Sequence, residues 1–175
     1  MKKVIVLLFL TAGLFACKQE VRYSQSSPEV DDWKKIISEY ENGDCDNFRT
    51  HFADTAKVYR NSTEPMSADD LVAEHKESLA IYSTYGFEEG EGDAEMVVTD
   101  EGETWVNFWG TWKGTMEANG KTYTIPVHTT SQYVDGKIVK YYGYWDGTEV
   151  ALAIQAMEAA AAAMQEAQME EEAPQ

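Results

Sequence analysis

The chain reads as an α+β fold in which helices come first and an antiparallel sheet follows. Two amphipathic stripes, at residues 30–42 and 67–82, have the spacing of helices with one apolar face. Three later runs, 105–112, 122–134 and 138–145, are rich in aromatic and β-branched residues. Asn119-Gly120 and Asp135-Gly136 stand between them, dipeptides that supply the positive φ of tight hairpins. The three runs therefore form a meander. A length of 175 residues suits one domain, and 43% hydrophobic with 12% aromatic residues is enough to build a core.

The elements follow in order. Val30, Trp33, Ile36, Ile37 and Tyr40 form the stripe of the first helix, which stops at Asn42-Gly43. Residues 44–52 read as a short second helix with Cys45, Phe48, Arg49 and Phe52 near one face, and 56–60 as a strand. Ser67 and Asp70 make a capping box that opens a helix to about Tyr82, with Leu71, His75, Leu79 and Tyr82 on one face. Residues 84–98 read as a strand interrupted by a solvated acidic loop at 88–93. From Val150 the composition turns to Ala, Met, Gln and Glu; Val150, Ile154, Met157, Ala161, Met164 and Gln168 give a helix with a thin apolar seam. Its first turns are expected to dock and its acidic end to fray, with a dimerising helix as the alternative.

The charge is lopsided: 14 Lys and Arg against 31 Asp and Glu, a formal net charge of −17. Such a surface repels phosphate and lacks the cations that displace counterions, so no nucleic-acid partner is expected. Capture by anionic lipid is disfavoured for the same reason. The N-terminus has Lys2 and Lys3, then an apolar run ending at Phe15, the pattern of a signal peptide. That run spans roughly 18 Å as a helix, short of the ~30 Å needed to cross a bilayer. Leu14-Phe15-Ala16-Cys17 resembles a bacterial lipobox, with Phe15 bulkier than usual; the alternative is an ordinary secretory signal with an incidental Cys. The resemblance implies lipidation at Cys17 and a location in the bacterial cell envelope, lipid-anchored. Lys18 after the cysteine is not the inner-membrane aspartate signal, so the outer membrane is preferred. The expected organisation is a signal peptide at 1–16, a lipidated Cys and polar tether at 17–28, a domain at 29–148 and a C-terminal helix and tail at 149–175. Cys45 is then left without an internal partner and reads as a small buried or half-buried residue, or less readily as a dimer disulfide.

The order helix, short helix, strand, helix, sheet, together with Tyr40-Glu41-Asn42-Gly43-Asp44, Phe52-Ala53-Asp54, the capped helix at Ser67 and Tyr133-Val134-Asp135-Gly136-Lys137-Ile138 before Tyr144-Trp145-Asp146, resembles the nuclear transport factor 2-like superfamily, most of all its SnoaL-like branch. The match runs over residues 29–148. It implies a cone: a curled antiparallel sheet wrapped around the N-terminal helices, leaving an open apolar pocket. The superfamily holds ketosteroid isomerase, scytalone dehydratase, limonene epoxide hydrolase and many pure binding modules, so the fold does not supply the function.

Little else in the chain points to chemistry. His51, His75 and His128 lie far apart with no metal-ligand spacing, and no nucleotide-binding or nucleophile-elbow motif occurs, so neither metal nor cofactor is expected. Polar groups in an apolar pocket are the remaining candidates. Asp146 ends the last strand where SnoaL-like cyclases, by resemblance, have an acid/base aspartate; it reads equally as a turn residue before Gly147. His128 shares a face with Thr124, Pro126, Thr130 and Gln132, while Tyr123, Ile125, Val127, Thr129 and Tyr133 form the other. If its face lines the cone, His128 is an acid/base or a ligand donor; if not, it is a surface histidine. His75 is a ligand contact or a core histidine. Trp105 and Trp109 share one strand face and offer flat walls for a ring, or pack against a partner. Tyr59, Tyr82 and Tyr144 are pocket-side or rim tyrosines.

The leading expectation is a cone that holds a small apolar or partly polar ligand without catalysis. The alternatives are a cofactor-independent isomerase, hydrolase or dehydratase using Asp146, His128 and Tyr59, which requires the three to converge, and an assembly module that forms a homodimer through the sheet face.

Overall fold

The computed structural model describes residues 21–172, the side chains of 89–91 and 170–172 excepted. The signal segment and Cys17 lie outside the described residues. Helix α1 (Pro28–Glu41) starts two residues ahead of the apolar stripe because Ser27 caps it, its Oγ accepting from Val30 N, with Pro28 in the first turn. Helix α2 (Cys45–Thr50) is capped by Asp44, which accepts from Asn47 N. Helix α3 (Ala68–Leu79) carries the capping box as expected: Asp70 N donates to Ser67 Oγ, and Ser67 N to Asp70 Oδ2. A Ser67→Ala variant is expected to lose about 1 kcal/mol in urea unfolding. An unchanged midpoint would show that the box does not hold this helix.

The six strands are β1 (Tyr23–Ser24), β2 (Phe52–Arg60), β3 (Tyr82–Val98), β4 (Thr104–Met116), β5 (Thr122–Val134) and β6 (Lys137–Trp145), in the sheet order β1-β3-β4-β5-β6-β2. All neighbours are antiparallel except β2 and β6. Strand β1 falls in the stretch expected to be tether. It pairs with Met96 and Val97, and Arg22 beside it donates to Val98 O and pairs with Asp100 at 2.6 Å. The acidic stretch 88–93 is not a loop, as its charge suggested. Strand β3 runs through it, and a register shift between Phe87 and Gly92 absorbs the extra residues as a bulge. Glu88 there pairs with Lys113 of the next strand.

The turn at Asp135-Gly136 has both residues at positive φ, 50° and 73°, as a two-residue hairpin requires. The turn at Asn119-Gly120 is wider than expected. Gly120 alone is left-handed, at 65°, and the turn is closed by Met116 N donating to Lys121 O and Gly120 N donating to Met116 O.

The core lies between α1 and the inner sheet face. Val30, Trp33 and Ile36 of α1 meet Phe48, Phe52, Val58 and Leu71 on one side and Val106, Phe108, Tyr133 and Ile138 on the other. Alternation along β4 puts Val106, Phe108 and Trp112 inward, and the Trp112 ring lies over Gly114, where any Cβ would collide with it. A last helix, α4 (Thr148–Glu172), leaves the end of β6. Residues 158–169 of it are exposed throughout. Among the described residues no helix is long and apolar enough to cross a membrane.

Candidate functional site

The sheet curls around the helices and leaves a cavity of about 340 Å³. Helix α1 supplies one wall with Trp33, Ile36, Ile37 and Tyr40; the sheet supplies another with Phe87, Phe108, Trp112, Ile125 and Val127. Val150, Ala151 and Ile154, from the first turns of α4, lie at its mouth. Lys121 holds that end of the helix: its Nζ pairs with Glu149 and sits 4.9 Å over the Tyr123 ring.

The polar groups in these apolar walls are few. His75 packs edge-on between Tyr40 and Phe48, with ring centroids 5.1 and 5.2 Å away, and no described residue hydrogen-bonds its nitrogens. Burial first, and then the charge of Arg60, lower its pKa to about 3, so the ring is neutral across the physiological range. Tyr40 Oη accepts from Trp112 Nε1 at 3.0 Å, and burial raises its phenol well above the usual value. Burial pushes Tyr141 up to about 12 against the opposing pull of Arg60. Trp33 Nε1 and Thr129 Oγ1 are buried without a partner among the described residues. They flank Phe108: Trp33 stands 6.0 Å from its ring, and Thr129 faces it across the β4–β5 ladder. Leaving such a group unpaired costs about 1–3 kcal/mol, which an oxygen-bearing guest at that depth can offset. Among the described residues no cluster of His, Cys, Asp or Glu is arranged to hold a metal ion.

Of the residues that the sequence singled out, His75 and Tyr82 line the cavity. The others do not. The face of β5 that carries His128 is the outer one: Nδ1 sits 3.1 Å from Phe108 O, and the ring stacks between Trp109, at 4.9 Å, and Tyr144, at 6.3 Å. Tyr59 stacks on Tyr142 at 4.6 Å on that same outer face, and Trp105 stacks on Tyr142 at 6.3 Å. Asp146 is exposed and accepts from Thr148 N at 2.9 Å; hydrogen bonds from Thr148 hold its carboxyl below the usual range. It behaves as the turn residue of its alternative reading. Asp146, His128 and Tyr59 therefore do not converge. Cys45 is a half-buried free thiol.

Among the cavity residues that escaped the sequence reading are Arg60, Tyr141 and Trp145. Arg60 alternates with Ala56 and Val58, both buried, and that period of two was the signal for its inward side chain. Tyr141 and Trp145 share the inner face of β6 around Gly143 in the same way.

No family model matches the chain, and no curated protein is significantly similar to it. Solved structures are. A candidate polyketide cyclase from Xanthomonas campestris pv. campestris is 16% identical with a TM-score of 0.58, over 72% of this chain and 96% of that one. PrhC from Penicillium brasilianum is 18% identical, TM-score 0.58, over 81% and 93%. An NTF2-like protein of unknown function from Burkholderia pseudomallei is 14% identical, TM-score 0.57, over 71% and 95%. At these identities the likeness speaks for architecture alone, and it agrees with the cone just described: the chain has the nuclear transport factor 2-like fold.

Proposed function

We propose that this protein is a lipid-anchored envelope protein whose cone holds a small, mainly apolar molecule without transforming it. The observation that carries the binding reading is the cavity of about 340 Å³, walled by aromatic and aliphatic side chains with a few polar groups at fixed points. Support for the absence of catalysis comes from the same walls. Among the described residues no carboxylate lines the cavity, and its imidazole, with a pKa of about 3, is a weak base at neutral pH. The enzymatic alternative rested on Asp146, His128 and Tyr59, which stand outside the cavity. The anchor rests on the sequence pattern ending at Cys17, and the outer membrane on Lys18. A homodimer through the sheet is favoured by one observation: Trp109 and Tyr144 are 45% and 50% exposed on the outer face, within a band of stacked rings.

Native mass spectrometry of the protein purified gently from its own host tests these points together. The expected spectrum shows a stoichiometric small molecule released on denaturation, acyl mass on Cys17, and the dimer. An empty chain that turns over a candidate compound would overturn the non-catalytic reading; an unmodified Cys17 would overturn the anchor.

A further inference from the structure

Among the described residues the cavity of this acidic protein is lined by a single charged side chain, and it is positive. That side chain is Arg60, in a chain of formal net charge −17. It is held there from two sides. Nη1 donates to Glu74, and the guanidinium carbon sits 5.0 Å over the Trp145 ring, a cation–π contact. The side chain is 18% exposed, whereas that of Glu74 is 48% exposed and does not line the cavity. Nε and Nη2 have no acceptor among the described residues. Arg60 is felt electrostatically by Tyr40, His75 and Tyr141, three residues from three different elements, so the charge reaches into the cavity rather than away from it. All three are neutral at physiological pH, and among the described residues Glu74, outside the cavity lining, is the anion paired with the guanidinium.

Resting on the reading of the cone as a binding cavity, we propose that its guest is an anionic amphiphile: an apolar ring system or chain carrying one carboxylate-type oxyanion, seated on the free Nε/Nη2 edge of Arg60 with its apolar body along Trp33, Phe108 and Trp112. The planar fork of arginine matches a carboxylate in geometry, and charge-assisted bonds gain strength in a cavity that excludes most water. The surrounding negative charge works against entry of any anion. A preference for one therefore has to come from Arg60 itself.

Isothermal titration of the full chain, in detergent and against a detergent blank, with naphthalene-2-carboxylate and naphthalene-2-carboxamide tests this. The two probes share a ring and nearly a shape and differ by one charge. The carboxylate is expected to bind about tenfold more tightly, the scale of one good charge-assisted bond. Arg60→Gln should abolish that advantage while leaving the amide within about twofold, and Arg60→Lys should keep part of it. Glu74→Gln, which frees the guanidinium without touching the cavity wall, should hold or raise the carboxylate affinity, and it decides the matter if Arg60→Gln fails to fold. Equal affinities, a tighter amide, or a carboxylate advantage that survives Arg60→Gln would overturn the proposal and leave the binding cone standing. Binding of both probes that persists in Ala151→Trp, which plugs the mouth, would place them on another surface and overturn it too. If neither probe binds, the reading of the cone as a binding cavity falls first.

Discussion

Lowering the pH from 7 to 4 is expected to destabilise the wild-type fold by about 3 kcal/mol more than it destabilises a His75→Phe variant. The folded protein holds His75 at a pKa of about 3, because burial between Tyr40 and Phe48 disfavours the charged ring. The unfolded chain has no such constraint and takes up the proton near 6.5. As pH falls below that value the unfolded state binds a proton that the folded state refuses, and stability drops until the folded ring itself protonates. Above about 6.5 the group contributes nothing of this kind. Phenylalanine keeps the edge-on packing and removes the titration. Asp44, Asp70 and Asp146, whose carboxyls hydrogen bonds hold low, lose their contribution as pH falls below the usual carboxylate range in both proteins, so they cancel in the difference. Urea midpoints at several pH values give the two curves; parallel curves would mean that His75 protonates freely in the folded state.

The second large effect is expected at His51, the residue that closes α2. Its Nδ1 lies 2.8 Å from Asp32 Oδ1 and its Nε2 2.8 Å from Glu39 Oε2, and Tyr133 Oη donates to the other oxygen of Asp32 at 3.2 Å. Both ring nitrogens lie within hydrogen-bond distance of carboxylate oxygens. The His51 side chain is 11% exposed, and its backbone oxygen accepts from Ile138 N at 2.9 Å, so one residue ties α1, α2 and β6 together. His51→Leu strands two carboxylates, each about three-quarters covered, beside one another. A loss of about 3 kcal/mol at pH 7 is expected, since two partly buried carboxylates lose their hydrogen-bond partner at once. Adding Asp32→Asn and Glu39→Gln should return a good part of it. A loss below about 1 kcal/mol, the range of surface pairs, would show that water already screens the group.

How far the sequence could be read depends on which physical signal each element carries. Helix α3 was legible because a capping box at Ser67 and a one-sided apolar stripe agree, and α1 because its stripe is as regular, although its cap at Ser27 was not read. The hairpins were legible from their turn dipeptides, although only Asp135-Gly136 adopts the expected geometry. The bulged middle of β3 was not, because its acidic residues look like a solvated loop whether or not the backbone stays paired. Which strand residues line the cavity was not legible, for one reason. Choosing the inner face of a strand by composition requires one polar face, and here both faces of β4, β5 and β6 carry aromatic rings. The outer set of Trp105, Trp109, Tyr142 and Tyr144 is buried partly by its own cross-strand stacking, so it has the composition of a wall. His128 and Tyr59 stack within that outer set. Arg60 was within reach, since Ala56, Val58 and Arg60 alternate on one face, but a cation at a strand end draws attention only when its neighbours are known to be inside.

The parallel seam between β2 and β6 sets a timetable for folding. Every other strand pair except β1 with β3 joins neighbours in sequence and can form from a local hairpin, whereas Phe52 must find Ile138, and Asn61 and Trp145, 84 residues apart, exchange two hydrogen bonds at its end. Such a pairing is entropically late, and it cannot begin until the last strand is available. Until then β2 has no strand partner and the aromatic side of α1 faces an incomplete sheet. A chain lacking residues beyond 137 would hold every helix that builds the cone except α4 and still have no cone, so the cavity is the last thing this protein makes.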